Sequence, residues 1–319
     1  MKTLFDKKKL PFNCIQKNCS DKNFQRIPNF FDENFYVRAI LKDSNMTKSE
    51  ISRKMPSYLC NKCKLIFHKN WFNENTAYSV FNSVYGQHHY GWKNFYNFIT
   101  TGKLVDHGKL YSLINNLNVK TYGEFNCPFS GVFFNFLDKK INYSKYYQSI
   151  LEKNNSRQLA HKKKIDNKDI KIKEFATHDK KLFLIKDNSP YCWGDNCNSK
   201  SINCKSLSQQ IMNLNILNFE SFKKLDIKFD LFGIFMTLDH TENFYEVLDI
   251  ILKKTKMLIV HCHINQNITK QHAFVVTNDF FKFYSKTKKI NIQNITSLIR
   301  AEISNKESYF LLSKNKIKY

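Results

Sequence analysis

A chain of 319 residues can build one large domain, or one medium domain with a small attachment, and can bury an ample core in either case. Aromatic residues make up 15% of the sequence, which is typical of a globular protein and excludes a purely solvated chain. The formal net charge of +24 would suggest nucleic acid or an anionic surface as a partner. However, the basic residues are spread along the whole chain. AT-rich codons explain the charge equally simply, because they produce abundant Lys, Asn, Ile, Phe and Tyr and scarce Gly and Pro. Nucleic acid is therefore not the expected partner.

The beginning of the chain and the cysteine content favour a cytoplasmic protein. The first residues, MKTLFDKKKLPF, carry charge but no apolar core of signal-peptide length. No apolar run reaches the ~18 residues of a membrane-spanning helix. In a reducing compartment, the nine cysteines are expected to be metal ligands or buried thiols rather than disulfides.

Two short-spaced cysteine pairs in the amino-terminal part predict a zinc site. Cys14 and Cys19 are separated by four residues, and Cys60 and Cys63 by two, the second pair within YLCNKCKLIF. Four thiolates can bind one tetrahedral Zn²⁺, which would be structural because a small module gains its folding energy from the metal. The alternative is four unrelated thiols. His68 is a possible substitute ligand, but we expect it to be a surface residue.

Aromatic residues crowd the next segment, from Trp71 to Trp92. They either line a ligand crevice or pack between the amino-terminal module and the main domain. The adjacent His88 and His89 would point to different faces of a regular element, so they are not expected to form a metal pair. A helix is predicted from Asp106 to Leu117.

A strand, a tight turn and a helix are predicted next. Val119 to Asn126 has strand character, and the chain turns at Pro128 to Gly131 before an apolar helix. This arrangement brings a ligand against backbone N–H groups at a helix start, although a GxGxxG loop is absent.

The middle of the chain is polar and lysine-rich from Ser156 to Lys181, which indicates a solvated helix or an excursion between core elements. A short strand is predicted from Leu182 to Ile185, and a helix from Ser206 to Asn213. Three cysteines between them are interpreted as buried thiols in a compact loop rather than as a second metal site: Cys192, Cys197 and Cys204.

The strongest pattern in the sequence is a strand, helix, strand unit. The unit contains two mostly apolar runs of strand length, Phe229 to Leu238 and Lys256 to Cys262. Thr241 can cap a helix between them. The helix has four apolar residues at the spacing of one buried face: Phe244, Val247, Leu248 and Ile251. Such a unit predicts two parallel neighbouring strands, with Asp239 and His240 exposed at the carboxyl end of the first. Ligands bind at that edge of an open α/β sheet, so both are candidates for chemistry; the alternative is a solvated turn.

Two histidines flank Cys262 near the end of the second strand. Alternation points the imidazoles of His261 and His263 to one side, which makes a metal conceivable. Because the sequence shows no carboxylate nearby, we expect both to face solvent.

The last part of the chain continues the main domain. A strand-like run extends from Gln271 to Val276, Thr277 or Asn278 can cap a short helix, and Tyr309 to Ser313 has the pattern of a final strand. The sequence therefore predicts three parts: a zinc-binding module at 1–75, a helical and aromatic connector at 76–118, and an α/β domain at 119–319.

Together these segments resemble the class I S-adenosylmethionine-dependent methyltransferases that carry a zinc-binding module, including the sugar C-methyltransferase family. The resemblance rests on the order and spacing of four segments: CNKCKLIF with its preceding cysteine pair, YGEFNCPFSG in the place of the first cofactor loop E-x-G-x-x-x-G, FDLFGIFMTLDH in the place of the fourth-strand motif, and KQHAFVVTNDFF. It implies a Rossmann-like domain with a mixed sheet of about seven strands.

The resemblance also implies site residues. Four positions fall in the loop that would hold the methionine part of the cofactor: Glu124, Asn126, Cys127 and Gly131. Asp239 and His240 match a Glu-His pair near the substrate, where an imidazole can act as general base. The sequence departs from the family at Asn126, which replaces the first glycine, and at Thr237, which stands where the sugar family has a Tyr. The second strand lacks a clear acidic residue for the ribose, unless Asp187 or Asp195 serves.

The expected function is methyl transfer from S-adenosylmethionine to a small-molecule or sugar-type acceptor such as a sugar nucleotide, with structural Zn²⁺. Two alternatives stay open: a methyltransferase fold that has lost catalysis and binds a partner, and a zinc-ribbon protein that binds nucleic acid. The oligomeric state is not indicated by the sequence.

Overall fold

The computed structural model describes residues 5–6, 24–28, 46–72, 106–125, 132–136, 180–186, 214–241, 244–264, 268, 272–300 and 306–315. Thirteen strands lie in these ranges, in chain order: β1 (Phe5–Asp6), β2 (Phe24–Ile27), β3 (Ser57–Cys60), β4 (Ile66–His68), β5 (Trp71–Phe72), β6 (Thr121–Phe125), β7 (Lys181–Lys186), β8 (Leu214–Asn218), β9 (Phe229–Phe235), β10 (Thr255–His263), β11 (Phe274–Val275), β12 (Asn291–Asn294) and β13 (Glu307–Ser313). The same ranges contain six α-helices: α1 (Lys48–Lys54), α2 (Leu110–Asn115), α3 (Phe219–Lys224), α4 (Phe244–Lys254), α5 (Asn278–Lys288) and α6 (Thr296–Ile299). Two 3₁₀ turns occupy Val132–Phe136 and Leu238–His240.

A seven-stranded mixed sheet forms the main layer, in the order β12-β13-β10-β9-β6-β7-β8. Five strands are parallel to one another: β8, β7, β6, β9 and β10. Strand β13 is antiparallel to both β10 and β12. If the sheet strands are numbered along the chain, their spatial order is 3-2-1-4-5-7-6. The first five follow the Rossmann order. The predicted Rossmann-like, seven-stranded mixed sheet is therefore confirmed as the fold.

The predicted strand, helix, strand unit is present as β9, α4 and β10, with β9 and β10 parallel. All four apolar residues expected on the buried face of the helix are buried. The first strand ends at Phe235 rather than Leu238, because Met236 adopts a left-handed backbone with φ 54° and turns the chain. At the amino-terminal ends of β9 and β6, a carboxylate links the two strands. Asp230 accepts hydrogen bonds of 3.0 Å from the backbone N–H groups of Lys120 and Thr121.

Hydrophobic packing covers both faces of the sheet. Apolar residues of α3, α4 and α5 join Phe232, Ile234 and Val260 in one large cluster on the first face. On the second face, the ring of Tyr122 stacks on Phe136 at 4.1 Å. The sheet is therefore sheltered on both sides, as parallel sheets require.

A second, four-stranded antiparallel sheet has the order β11-β4-β3-β2. Its strand β11 comes from the part of the chain that follows β10, and it pairs Phe274 with Phe67. Buried residues of this sheet, such as Cys60 and Phe67, belong to the same hydrophobic cluster as the main sheet. The small sheet is therefore packed into the core of the α/β layer. A further pair of strands, β1 and β5, forms a two-stranded sheet.

Several elements differ from the predictions. The edge strands β8 and β12 were not predicted, because LNILN and NIQN alternate Asn or Gln with isolated apolar residues and lack a strong pattern. Four predicted segments lie wholly or mostly outside the described residues: the helix at 206–213, the loop from Cys192 to Cys204, the aromatic residues at 73–92 and the lysine-rich segment. Within the part of the chain that is described, no helix has the length and apolar character to cross a membrane.

Candidate functional site

The topological switch point of the sheet lies between β6 and β9. From β6 the chain moves outward to β7 and β8 and then returns to the other side of β6 as β9. Such a reversal opens a crevice at the carboxyl ends of the two central strands, where open α/β sheets bind ligands. Here the two ends are held together by the Thr237 hydroxyl, which donates to the Phe125 carbonyl at 3.5 Å.

Glu124 lies at the end of β6, beside this crevice. Its side chain is buried, and its carboxylate accepts a 2.7 Å hydrogen bond from the Tyr122 hydroxyl. Burial raises the pKa of Tyr122 well above its ordinary value, and the negative charge of Glu124 raises it further, so this phenol stays a donor. Glu124 thus belongs to the strand itself, one residue before its end. The other three expected cofactor residues lie outside the described residues: Asn126, Cys127 and Gly131.

The turn after β9 places a carboxylate at the carboxyl edge of the sheet. Leu238–His240 is a 3₁₀ turn, and the Thr241 hydroxyl donates to the Thr237 carbonyl at 2.9 Å. We expected an exposed carboxylate here, but this was wrong: Asp239 is fully buried. Its backbone carbonyl accepts a hydrogen bond from Ala273 N–H at 3.1 Å, which brings the segment before β11 over the turn. The side chain of His240 lies outside the described residues.

Asp239 meets two histidines. Its Oδ2 lies 2.6 Å from Nδ1 of His263 and 3.4 Å from Nε2 of His272. The two imidazole centroids are 4.8 Å apart. The side chains of Asp239 and His272 are 1% and 3% exposed, whereas that of His263 is 18% exposed and gives the group access to its surroundings. The three donor atoms therefore converge beyond the carboxyl ends of β9 and β10.

The electrostatics of this group are dominated by the carboxylate. Burial alone would lower the pKa of His263, but the hydrogen bond and the charge of Asp239 outweigh it and raise the pKa. The expectation that His263 faces solvent without a carboxylate partner was wrong. The partner is Asp239, from the turn after the neighbouring parallel strand β9. The predicted parallel pairing of β9 and β10 could have indicated that Asp239 and His263 lie close together.

His261 shares a face with His263, as alternation predicted, but it has its own partner. Its Nε2 lies 3.2 Å from Glu307 Oε2, and its ring stacks on Tyr309 at 4.0 Å. The expectation that it faces solvent was also wrong, since the residue is buried. Burial lowers the pKa of His261, although Glu307 opposes this effect. A hydrogen-bond contact of 2.9 Å joins Nδ1 of His107 to the Tyr309 hydroxyl and extends the cluster.

The second cysteine pair forms a tight turn between β3 and β4. Cys60 and Cys63 are buried, and the Cys63 N–H donates to Cys60 Sγ at 3.5 Å. Lys64 closes the turn with a left-handed backbone at φ 61° and donates from its N–H to the Cys60 carbonyl at 2.8 Å. An N–H group aimed at sulfur favours a thiolate, so this half of the ligand set fits Zn²⁺. Cys14 and Cys19 lie outside the described residues.

His68 was expected at the surface, and this was wrong. It is buried, and its Nδ1 lies 3.1 Å from the Ser57 hydroxyl on the paired strand β3. Its backbone N–H donates to the Ala273 carbonyl at 3.1 Å. Because Ala273 also donates to the Asp239 carbonyl, one residue links the small sheet to the turn that carries the carboxylate.

Similarity to known proteins is confined to solved structures. No family model and no curated protein matches the sequence. Among solved structures, the chain is similar to a Klebsiella pneumoniae protein provisionally named an O-methyltransferase, with 9% identity over 76% of this chain and 97% of that chain and a TM-score of 0.35. It is also similar to the plantazolicin methyltransferase BpumL in complex with SAH, with 12% identity over 73% of this chain and 88% of that chain and a TM-score of 0.38. The N-terminal domain of EvdMO1 in the presence of SAH and D-fucose is similar at 8% identity, over 65% of this chain and 81% of that chain, with a TM-score of 0.34. At these values the likenesses carry no argument, and the activity has to be drawn from this chain's own residues.

Proposed function

We propose that this chain binds S-adenosylmethionine at the switch point of its main sheet and transfers the methyl group to a small-molecule or sugar-type acceptor. The observation that carries the proposal is the strand order 3-2-1-4-5-7-6 with an antiparallel seventh strand. This is the mixed Rossmann-like sheet that the resemblance of the sequence to class I methyltransferases implies, and its switch point lies beside the segment YGEFNCPFSG. When bound, the cofactor supplies an activated methyl group on a sulfonium.

The cofactor residues in this proposal lie at and after the end of β6. The carboxylate of Glu124 is held by Tyr122, and the following loop would contribute Asn126, Cys127 and Gly131. The strand bounds support one of the two candidates for the ribose hydroxyl groups. Because β7 ends at Lys186, Asp187 is the next residue in the sequence, whereas Asp195 is eight residues further on. A carboxylate that follows the second strand is where Rossmann-like sites bind a ribose, so we assign this role to Asp187.

The acceptor would lie over the turn after β9. Methyl transfer from a sulfonium needs little covalent help, so the chain has to hold donor and acceptor in line and remove a proton. The catalytic residues in this proposal are His240, as the base that takes the proton from the acceptor, and the adjacent Asp239, which would orient the imidazole of His240. The described contacts of the Asp239 carboxylate reach His263 and His272, and they hold the turn in place.

The amino-terminal part completes the proposal with a structural zinc ion held by four thiolates. The buried turn of Cys60 and Cys63 supports it, and Cys14 and Cys19 would supply the other two ligands. Thiolate ligands fit a reducing compartment, and we therefore propose a cytoplasmic location.

One sequence feature favours a second candidate function. Asn126 occupies the place of a glycine in the expected cofactor loop, and a side chain there would hinder close approach of the backbone to a ligand. A methyltransferase fold that has lost catalysis and binds a partner would have this property.

Calorimetric titration with S-adenosylmethionine and with S-adenosylhomocysteine tests the proposal. We expect binding of about one ligand per chain, and a Gly131→Arg variant should lose it because the side chain fills the loop. Saturating ligand should also raise the melting temperature by mass action. Binding of the cofactor would support the enzyme over the second candidate. An unchanged melting curve and no heat of binding would contradict the enzyme and would favour the second candidate, a fold that has lost its cofactor.

A further inference from the structure

We propose that Asp239, His263 and His272 form a binding site for a divalent transition-metal ion, separate from the cysteine site. These residues offer one carboxylate oxygen and two imidazole nitrogens, and all three atoms lie within 4.8 Å of one another. Two histidines and one carboxylate on one side of an ion leave further positions open for water or a ligand. Imidazole nitrogen suits zinc, iron, nickel or copper, whereas magnesium and calcium prefer oxygen alone.

Two of the three pairs of donor atoms have spacings close to what an ion requires, whereas the two imidazole nitrogens, which lie within 4.8 Å of each other, would have to move closer. Atoms bound at about 2.1 Å from one ion lie roughly 3.0–3.4 Å from one another. The separation of 3.4 Å between Asp239 Oδ2 and His272 Nε2 meets this condition. The 2.6 Å contact between Asp239 Oδ2 and His263 Nδ1 is a hydrogen bond, and an ion would replace its proton after the two atoms part by about half an ångström.

Three different elements hold the donor atoms, so the site is assembled before any ion arrives. Asp239 is fixed in its 3₁₀ turn by the hydrogen bond from Ala273 N–H to its carbonyl. His263 is the last residue of β10 and pairs with Glu307 of β13. His272 adjoins Ala273, whose carbonyl accepts from His68 of the small sheet. A buried group of this kind loses little conformational entropy when it binds an ion.

Among the described residues of the site, His263 offers the access. His263 is the one member of the group that is partly exposed, at 18% of its side chain, while the other two are almost completely buried. An ion and its remaining ligands would therefore enter past His263, at the carboxyl edge shared by β9 and β10. The metal site shares Asp239 with the proposed catalytic pair, but its test requires neither cofactor binding nor methyl transfer.

Cobalt titration of the full chain tests the site. The protein is stripped with a chelator under reducing conditions and then titrated with Co²⁺, which reports nitrogen and oxygen ligands by visible absorption and thiolate ligands by charge-transfer absorption in the near ultraviolet. A variant that combines His263→Gln with His272→Gln should bind one equivalent less Co²⁺ than the wild type, with at least about a 100-fold loss of affinity at this site. Glutamine keeps the volume and a hydrogen-bond donor but is a poor ligand. The matched control is His261→Gln on the same face of the same strand, which should keep the full stoichiometry.

A second measurement needs no variant. In Co²⁺-loaded wild-type protein, two histidine ligands should give exchangeable imidazole N–H proton resonances with large paramagnetic shifts, which thiolate ligands cannot produce. Such resonances support the site even if the double variant fails to fold. Equal Co²⁺ stoichiometry and affinity in wild type and folded double variant, or Co²⁺-loaded protein without these resonances, would overturn the proposal.

Discussion

The Thr277 hydroxyl donates a 3.0 Å hydrogen bond to the Lys64 carbonyl and so joins the first turn of α5 to the turn of Cys60 and Cys63. The same hydroxyl accepts from the Phe280 N–H at 3.0 Å as the N-cap of the helix. One side chain therefore serves both the helix and the proposed zinc turn, although the two are more than 200 residues apart in sequence.

Thr277→Val should remove both hydrogen bonds while keeping the volume of the side chain. We expect a loss of about 1–2 kcal/mol in the free energy of unfolding, the magnitude of a lost N-cap. Thr277→Ser keeps the hydroxyl and is the matched control, with an expected loss well below that of Val. Urea denaturation of the three proteins measures the difference, and equal stability of Val and Ser variants would show that the hydroxyl contributes nothing.

Cys63→Ser should release about one equivalent of Zn²⁺ per chain and lower the melting temperature, because metal binding to a small sheet contributes directly to its folding. Elemental analysis and calorimetry of the same samples check both effects. Cys262→Ser is the control, since this buried thiol lies in β10 outside the proposed ligand set. Unchanged zinc content and stability in Cys63→Ser would contradict the four-cysteine site.

Asp187→Asn should weaken binding of S-adenosylhomocysteine by roughly 10- to 100-fold, as expected for the loss of a charge-assisted hydrogen bond to the ribose. Asp195→Asn should bind like the wild type. Calorimetric titration of the two variants distinguishes them. A loss confined to Asp195→Asn would move the ribose contact to that residue.

His240→Ala should reduce turnover by roughly 10²–10⁴-fold with cofactor affinity nearly unchanged, as for a positioned general base. Once an acceptor is found, single-turnover rates across pH check this. The wild-type rate should fall at low pH, where the imidazole is protonated. The rate of the variant should not show this decrease. Methyl transfer at the wild-type rate in His240→Ala would remove this residue from the chemistry.

Asp230 should make stability depend on pH on the acid side. Burial would raise its pKa, but hydrogen bonds from Lys256, Thr121 and Lys120 outweigh this and lower it. A lowered folded pKa stabilises the protein above the unfolded value of about 3.9. This stabilisation is lost as the pH falls through the folded pKa. The melting temperature of Asp230→Asn should therefore lie below that of the wild type near neutral pH, and the gap should narrow below about pH 4. A gap that stays constant with pH would show that ionisation of Asp230 is not involved.

The sequence was sufficient to predict the central elements of the fold because their patterns are strong. A mostly apolar run predicted β9, and four apolar residues at helical spacing predicted the buried face of α4. The edge strands β8 and β12 could not be found this way, since their described side chains are half-buried or exposed and each strand carries amide side chains. Pairing with a neighbour, rather than local pattern, makes them strands.

The candidate site was predicted only in part, for a related reason. Asp239 was singled out because it follows a buried strand, yet its partner His263 lies 24 residues away, and only the parallel pairing of β9 and β10 brings them together. His272 could not have been placed from the sequence, because its position depends on β11 joining a sheet formed by distant strands. Local patterns do not contain such contacts.

Strand β11 also sets an order of events during synthesis. In the small sheet it pairs with β4, but its residues Phe274 and Val275 emerge from the ribosome about 200 residues after β4. Until then the backbone groups of β4 form an open edge, the kind of surface that pairs with other chains and promotes aggregation. Because Ala273, next to β11, also contacts the Asp239 turn, closing this edge fixes the carboxylate at the same time. A nascent chain that stalls before Phe274 would therefore present both an unprotected edge and an unfinished site, and it should depend on chaperones more than the complete protein does.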